Sequence, residues 1–151
     1  MKVEDLMTKR VVTVGFDDTL ETVKDIFEQS GFHHLLVVED RELQGVVSDR
    51  DLLRALSPFI DSVVETQRDI GTLSRRVHQI MSRKPITLRP DADVSEAIQL
   101  FLAHPISCIP IVDGGSRPVG IVSWRDVLKV CSEMLKSPVD EGGGVEPEAR
   151  A

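Results

Sequence analysis

The chain carries only two cysteines in 151 residues, Cys108 and Cys131, each inside an apolar run and neither near a Cys-x-x-Cys or Cys/His spacing. That pattern argues against a zinc site or a disulfide framework and leaves both as small core residues of a reducing compartment. Basic charge is also scarce: 18 Lys and Arg stand against 25 Asp and Glu, for a formal net charge of -7 and a pI near 5.1. A surface of that sign does not displace the counterions of DNA or RNA, so no nucleic acid polymer is expected as a partner. Any phosphate has to be met by local groups. No apolar run approaches the roughly 20 residues that cross a bilayer, and the N-terminus has no charged stretch leading into an apolar one. The expectation is a soluble, cytoplasmic protein with no membrane association. Catalytic signatures are missing as well. No Gly-x-Ser-x-Gly, Walker or dinucleotide motif is present, and no enzyme is expected.

What the chain does have is a repeat. Val3, Met7, Thr13, Asp17, Phe27 and Val38 recur as Val77, Met81, Thr87, Asp91, Phe101 and Val112, at a constant offset of 74. One extra residue falls in the turn Asp113 to Pro118, and beyond it the offset is 75. There Gly45-Val46-Val47-Ser48-Asp49-Arg50-Asp51-Leu52-Leu53 faces Gly120-Ile121-Val122-Ser123-Trp124-Arg125-Asp126-Val127-Leu128, identical at six of nine positions. Self-similarity of this kind means one supersecondary unit used twice. With 41% apolar residues the chain can bury a proper core without staples.

Each copy reads as strand, helix, strand, strand, helix. Val11 to Val14 is a short β-branched run; Leu20, Val23 and Phe27 mark one face of a helix ending near Gly31. Val94, Ala97, Ile98 and Phe101 repeat that face, with Asp93 and Glu96 spaced as a capping box. Leu35 to Val38 and Ile109 to Val112 are fully apolar, as strands covered on both sides are. Gly45 to Val47 and Gly120 to Val122 supply a third strand, and the last helix of each copy starts at Ser48 or Ser123. The resulting division is a first unit over 1–57, a helical connector over 58–76 carrying Phe59, Val63, Ile70 and Leu73, and a second unit over 77–136. The segment 137–151 is rich in Gly, Pro and Glu, has almost nothing to bury, and is expected to be disordered.

The chemistry-bearing signal is Ser-x-x-Asp after a glycine-led strand, at Ser48/Asp51 and again at Ser123/Asp126. A serine N-cap with an acid three residues on is also a plain helix cap that satisfies orphan amides. The same geometry offers free amides and a positive dipole end to an anion, beside a carboxylate suited to the paired hydroxyls of a ribose.

These segments, together with Asp5-Leu6-Met7-Thr8, Gln79-Ile80-Met81-Ser82 and Cys108-Ile109-Pro110-Ile111-Val112-Asp113, resemble a tandem pair of cystathionine β-synthase (CBS) domains, a Bateman module, over roughly Val3 to Leu135. The resemblance implies an α/β (α+β) fold of two pseudo-symmetric β-α-β-β-α units packed through their sheets. It implies up to two composite adenosine sites in the central cleft. In one, Ser123 and Asp126 hold ribose and phosphate, Arg10, Val12 and Phe32 border the base, and His33 and His34 point toward the phosphates. In the other, Ser48 and Asp51 act with Lys84, Ile86, Ile106 and Ser107. The first is favoured for a phosphorylated ligand because histidines donate to phosphate.

The implied function is regulatory sensing of AMP, ADP or ATP, with S-adenosylmethionine or NAD as further candidates, by a homodimer or with an effector protein. The alternative is a ligand-free dimerisation or adapter module. Leu36 where the second copy has Pro110, Asp49 and Trp124 depart from the family pattern. Arg50 and Arg125 either pair with acids or reach phosphate, and His78 and His104 receive no role.

Overall fold

The computed structural model describes residues 1–136, so the tail expected to be disordered, 137–151, lies outside the described residues. The first repeat forms α1 (Val3–Leu6), β1 (Thr13–Val14), α2 (Leu20–Ser30), β2 (His34–Glu39), β3 (Glu42–Ser48) and α3 (Asp49–Ala55). A short α4 (Gln67–Gly71) lies in the connector, and the second repeat forms β4 (Ser82–Arg83), α5 (Val94–Ala103), β5 (Cys108–Val112), β6 (Pro118–Ser123) and α6 (Trp124–Lys136). Local chemistry sets these boundaries. The Thr19 side chain accepts from the Thr22 amide at 3.3 Å to open α2, and Gly31, at φ 69°, closes it in the left-handed conformation that glycine adopts freely.

The two hairpins explain the change of offset. Between β2 and β3 the turn has two residues, Asp40 and Arg41, both at positive φ (49° and 66°), as a tight hairpin whose twist matches its strands requires. Between β5 and β6 the turn is longer, and there only Ser116 has positive φ (59°). The two copies also differ at their first strand. β1 runs parallel to β2, with Thr13 opposite Leu36, and the Leu36 amide donates to the Val12 carbonyl at 3.1 Å. The matching residue of the second copy is Pro110, which has no amide hydrogen to give to Ile86. The strand expected there is reduced to a single bridge, Leu88 to Ile111.

The copies do not fold side by side; they exchange their opening segments. β4 completes the first sheet, in the order β1-β2-β3-β4, by pairing Arg83 with Gly45 and Ser82 with Val46. Thr8 pairs with Ile121 in the mirror position beside β6. The Val3 amide donates to Ala92 and the Glu4 amide to Pro90, while Val77 donates to Asp18 and His78 to Phe16. Side chains follow the backbone. Val77 and Met81 are buried in the first core with Leu20, Val23, Leu35 and Val47, and Val3 is buried in the second with Ala97, Ile109, Ile111 and Val122. A third cluster of Leu36, Val46 and Cys108, with Ile121 against it, seals the seam between the sheets.

The strand glycines make the exchange sterically possible. A Cβ on Gly45 would stand 2.6 Å from the Ser82 carbonyl oxygen, and one on Gly120 would stand 2.5 Å from Met7 Sδ. A glycine inside a strand often marks such an approach of a second backbone.

The connector is helical only at Gln67–Gly71, with a 3-10 turn at Thr72–Ser74, and not throughout as its apolar residues suggested. Phe59 and Val63 are exposed to 51% and 105%, so no common buried face holds a longer helix together. Polar contacts fix it instead: Lys24 pairs with Asp61 at 3.1 Å, and Ser57 Oγ donates to Asp69 at 2.6 Å. Among the described residues no helix is long and apolar enough to cross a membrane.

The two glycines are expected to differ under substitution. Gly45→Ala forces a methyl onto backbone and should cost about 1–3 kcal/mol, the range of core overpacking. Gly120→Ala meets chiefly the flexible end of Met7 and should cost less, an order that urea denaturation of the two variants checks.

Candidate functional site

β3 and β6 both end in a serine that caps the next helix. Ser48 Oγ accepts from the Asp51 amide at 3.1 Å, and Asp51 Oδ2 accepts from the Ser48 amide at 2.9 Å. In the second copy Ser123 Oγ accepts from the Asp126 amide at 3.4 Å, and Asp126 Oδ2 accepts the Ser123 amide at 2.8 Å and its hydroxyl at 3.0 Å. The capping arrangement is therefore present at both sites, yet it uses one oxygen of each carboxylate. Oδ1 of Asp51 and of Asp126 accepts no hydrogen bond among the described residues.

The serine ends converge on one cavity of about 370 Å³. It brings Ser123 and Asp126 of the second copy together with Phe32, His33 and His34 of the first, and adds Ser48 and Ser107. Asp49, Arg50, Trp124 and Arg125 line it too, with Gly31, Thr8 and Ile121. Backbone bonds hold the loops in place. The Asp49 amide donates to the His33 carbonyl at 3.0 Å, and its counterpart Trp124 donates to the Ser107 carbonyl at 3.4 Å. Across the seam, His34 Nε2 lies 2.8 Å from Ser107 Oγ.

The other residues expected at the sites lie elsewhere. Arg10 and Lys84 are exposed, Val12 packs on the first core and Ile106 on the second, and none of them lines the cavity. Asp51 stands behind its cap, outside the lining, and Ile86 borders a separate open groove with Leu88 and Leu100. Thr8, Gly31 and Ile121 line the cavity without having been expected there, and Thr8 reaches it only because the exchange of opening segments carries it to the cleft. The in-strand glycines were the available signal.

The charges around the cavity are mixed. His33 Nδ1 donates to Asp49 Oδ2 at 2.8 Å, while Arg50 and Arg125 make no ion pair among the described residues. The Arg125 guanidinium lies 5.9 Å from the centre of the Trp124 ring. Burial holds the His34 imidazole below its ordinary 6.5; His33 also lowers it, and Asp49 and Asp51 act the other way. Cys108, in the buried seam cluster, has its thiol pushed up to about 12 by burial and secondarily by Asp51, so it stays protonated and inert. No group of three or more His, Cys, Asp or Glu among the described residues is placed to hold a metal ion. The arrangement offers hydrogen-bond acceptors for hydroxyls, two guanidinium groups without an ion pair and one half-buried neutral imidazole.

Residues 3–58 and 77–133 match the CBS domain family, and the chain belongs to that family as a tandem pair. It is 31% identical over 136 residues to a CBS domain-containing protein of Dictyostelium discoideum, covering 89% of this chain and 93% of that one. Other curated relatives are longer, and the chain spans 23% of one and 43% of another. Among solved structures, the cytosolic domain of the Mg2+ channel MgtE, in complex with ATP, superposes with a TM-score of 0.69 at 30% identity, over 85% of this chain and 48% of that one. CBSX2 of Arabidopsis thaliana, in complex with AMP, has a TM-score of 0.73 at 23% identity, over 89% and 98%, and shares the fold.

A pH dependence follows from His34. The unfolded chain takes up a proton near 6.5 while the folded chain resists it, so stability is full above 6.5 and falls as the pH drops below that value. Melting temperatures between pH 7.5 and 5.5 should decline, and His34→Gln, which keeps a donor toward Ser107, should flatten part of that decline.

Proposed function

We propose that this chain is a regulatory module that binds an adenosine nucleotide, AMP, ADP or ATP, in the cleft between its two CBS units and catalyses no reaction. The observation that carries the reading is the cavity joining Asp126 of one unit to Phe32, His33 and His34 of the other. Asp126 Oδ1 is free to accept from ribose hydroxyls, Arg125 is free to meet phosphate, and Phe32 offers an apolar ring to the base. The ATP complex of the MgtE domain supports the ligand class. Binding across two units favours one angle between them, and that shift regulates a partner that distinguishes the angles. A second copy of the chain is the first partner to expect, since the matched residues Leu53 and Leu128 stand 73% and 54% exposed.

Calorimetric titration with AMP, ATP and S-adenosylmethionine tests the reading, and heat is expected with at least one of the nucleotides. Asp126→Asn keeps one oxygen for the cap and loses the carboxylate that faces ribose. It should weaken binding roughly tenfold to a hundredfold, as the loss of a charged hydrogen bond does. No heat with any of the three ligands rejects the proposal.

The second reading is a dimerisation or adapter module with an empty cleft, favoured by the large Trp124 side chain at its wall. Thermal melting separates the two readings: a nucleotide at 100 times its dissociation constant adds about 2.7 kcal/mol to the folded state, and an empty-cleft module shows no shift.

A further inference from the structure

The repeat, taken alone, offers two equal ligand positions, one at each Ser-x-x-Asp. Three observations break the equality. The two serine ends open into one cavity of about 370 Å³, near the lower end of the 300–1,000 Å³ typical of small-molecule pockets. Asp126 lines that cavity and Asp51 does not. Finally, the helices that face it begin with different residues, Asp49 on α3 and Trp124 on α6.

This last difference sets the charge. Arg50 matches Arg125 and Asp51 matches Asp126, so the two ends carry the same formal charge except at Asp49. Its carboxylate is 42% exposed, lines the Ser48 end and is held there by His33 at 2.8 Å. A phosphate at that end meets a carboxylate beside it. At the Ser123 end it meets a neutral indole with the Arg125 guanidinium above the ring.

We propose, on the basis of the nucleotide reading above, that Asp49 is the residue that fixes the polarity of the site. It confines phosphate to the Trp124–Arg125 end, so that the chain takes one phosphorylated nucleotide. Asp49 acts on the phosphate and leaves recognition of the nucleoside alone.

The test is calorimetry on the full chain with AMP and with adenosine as paired probes. The wild-type chain should bind one AMP. Asp49→Asn preserves side-chain shape and removes the charge; it should open the Ser48 end to phosphate and raise the AMP stoichiometry from one toward two, while leaving the affinity for adenosine within about twofold. Trp124→Asp installs the acid at the matching position and should weaken AMP several-fold more than adenosine. Two equal AMP molecules per wild-type chain would overturn the proposal. So would an Asp49→Asn variant that still takes a single AMP. Those results leave the nucleotide reading standing, whereas no heat with either probe on any of the three proteins rejects this proposal, and the nucleotide reading falls with it only when ATP and S-adenosylmethionine are silent as well.

Discussion

The reciprocal exchange of opening segments is the constraint on which the rest of the structure depends. Neither repeat contains its own complete core. The first needs Val77 and Met81 from beyond the connector, and the second needs Val3 from the start of the chain. The exchange draws the sheets together until Leu36, Val46 and Cys108 meet. Once that seam is closed, both serine-capped helix starts point into the same space, and the cavity results from the packing. Gly45 and Gly120 serve this arrangement before they serve any ligand, since each marks where the other half's backbone crosses the strand.

On this symmetric frame the sequence differences act locally, and each has a separate physical result. Pro110 removes one amide and with it most of a first strand, while the sheet as a whole persists because β5 and β6 carry the ladder. One added residue in the second hairpin changes the turn from two positive-φ residues to one. His33 and His34 face Ser107 and Cys108 across the pseudo-two-fold, so imidazoles enter from one side only. Asp49 and Trp124 carry the same asymmetry to the helix starts. A module with an exact repeat would have matched ends; this one has ends that differ in charge, in bulk and in hydrogen-bonding capacity.

Much of this was legible in the residues. The offset between Met7 and Met81, the apolar faces of α2 and α5, and the twin Ser-x-x-Asp segments identify the units and the helix starts because those signals are local and periodic. Asp126, Ser123, Phe32 and the two histidines were also reachable, through the family pattern, and the structure brings them to one cavity. What could not be read was long-range. Thr8 reaches the cleft through a bridge to Ile121, more than a hundred residues away, and a pairing at that separation leaves no periodic trace. The connector misled for a related reason: Phe59 and Val63 have helical spacing but no surface to pack on. The contact between His33 and Asp49 depends on loop geometry that spacing does not encode.

The exchanged segments also bear on how the chain is made. As it leaves the ribosome, the first repeat has all of β2 and β3 by Ser48 but lacks the strand that flanks β3 until Arg83 has been added. Val3 waits for β5 and β6, more than a hundred residues later, before its pocket exists. The segment around Val3 must therefore remain available until β6 has been added, and the nascent protein carries an unfinished edge at β3 from Ser48 until Arg83 emerges.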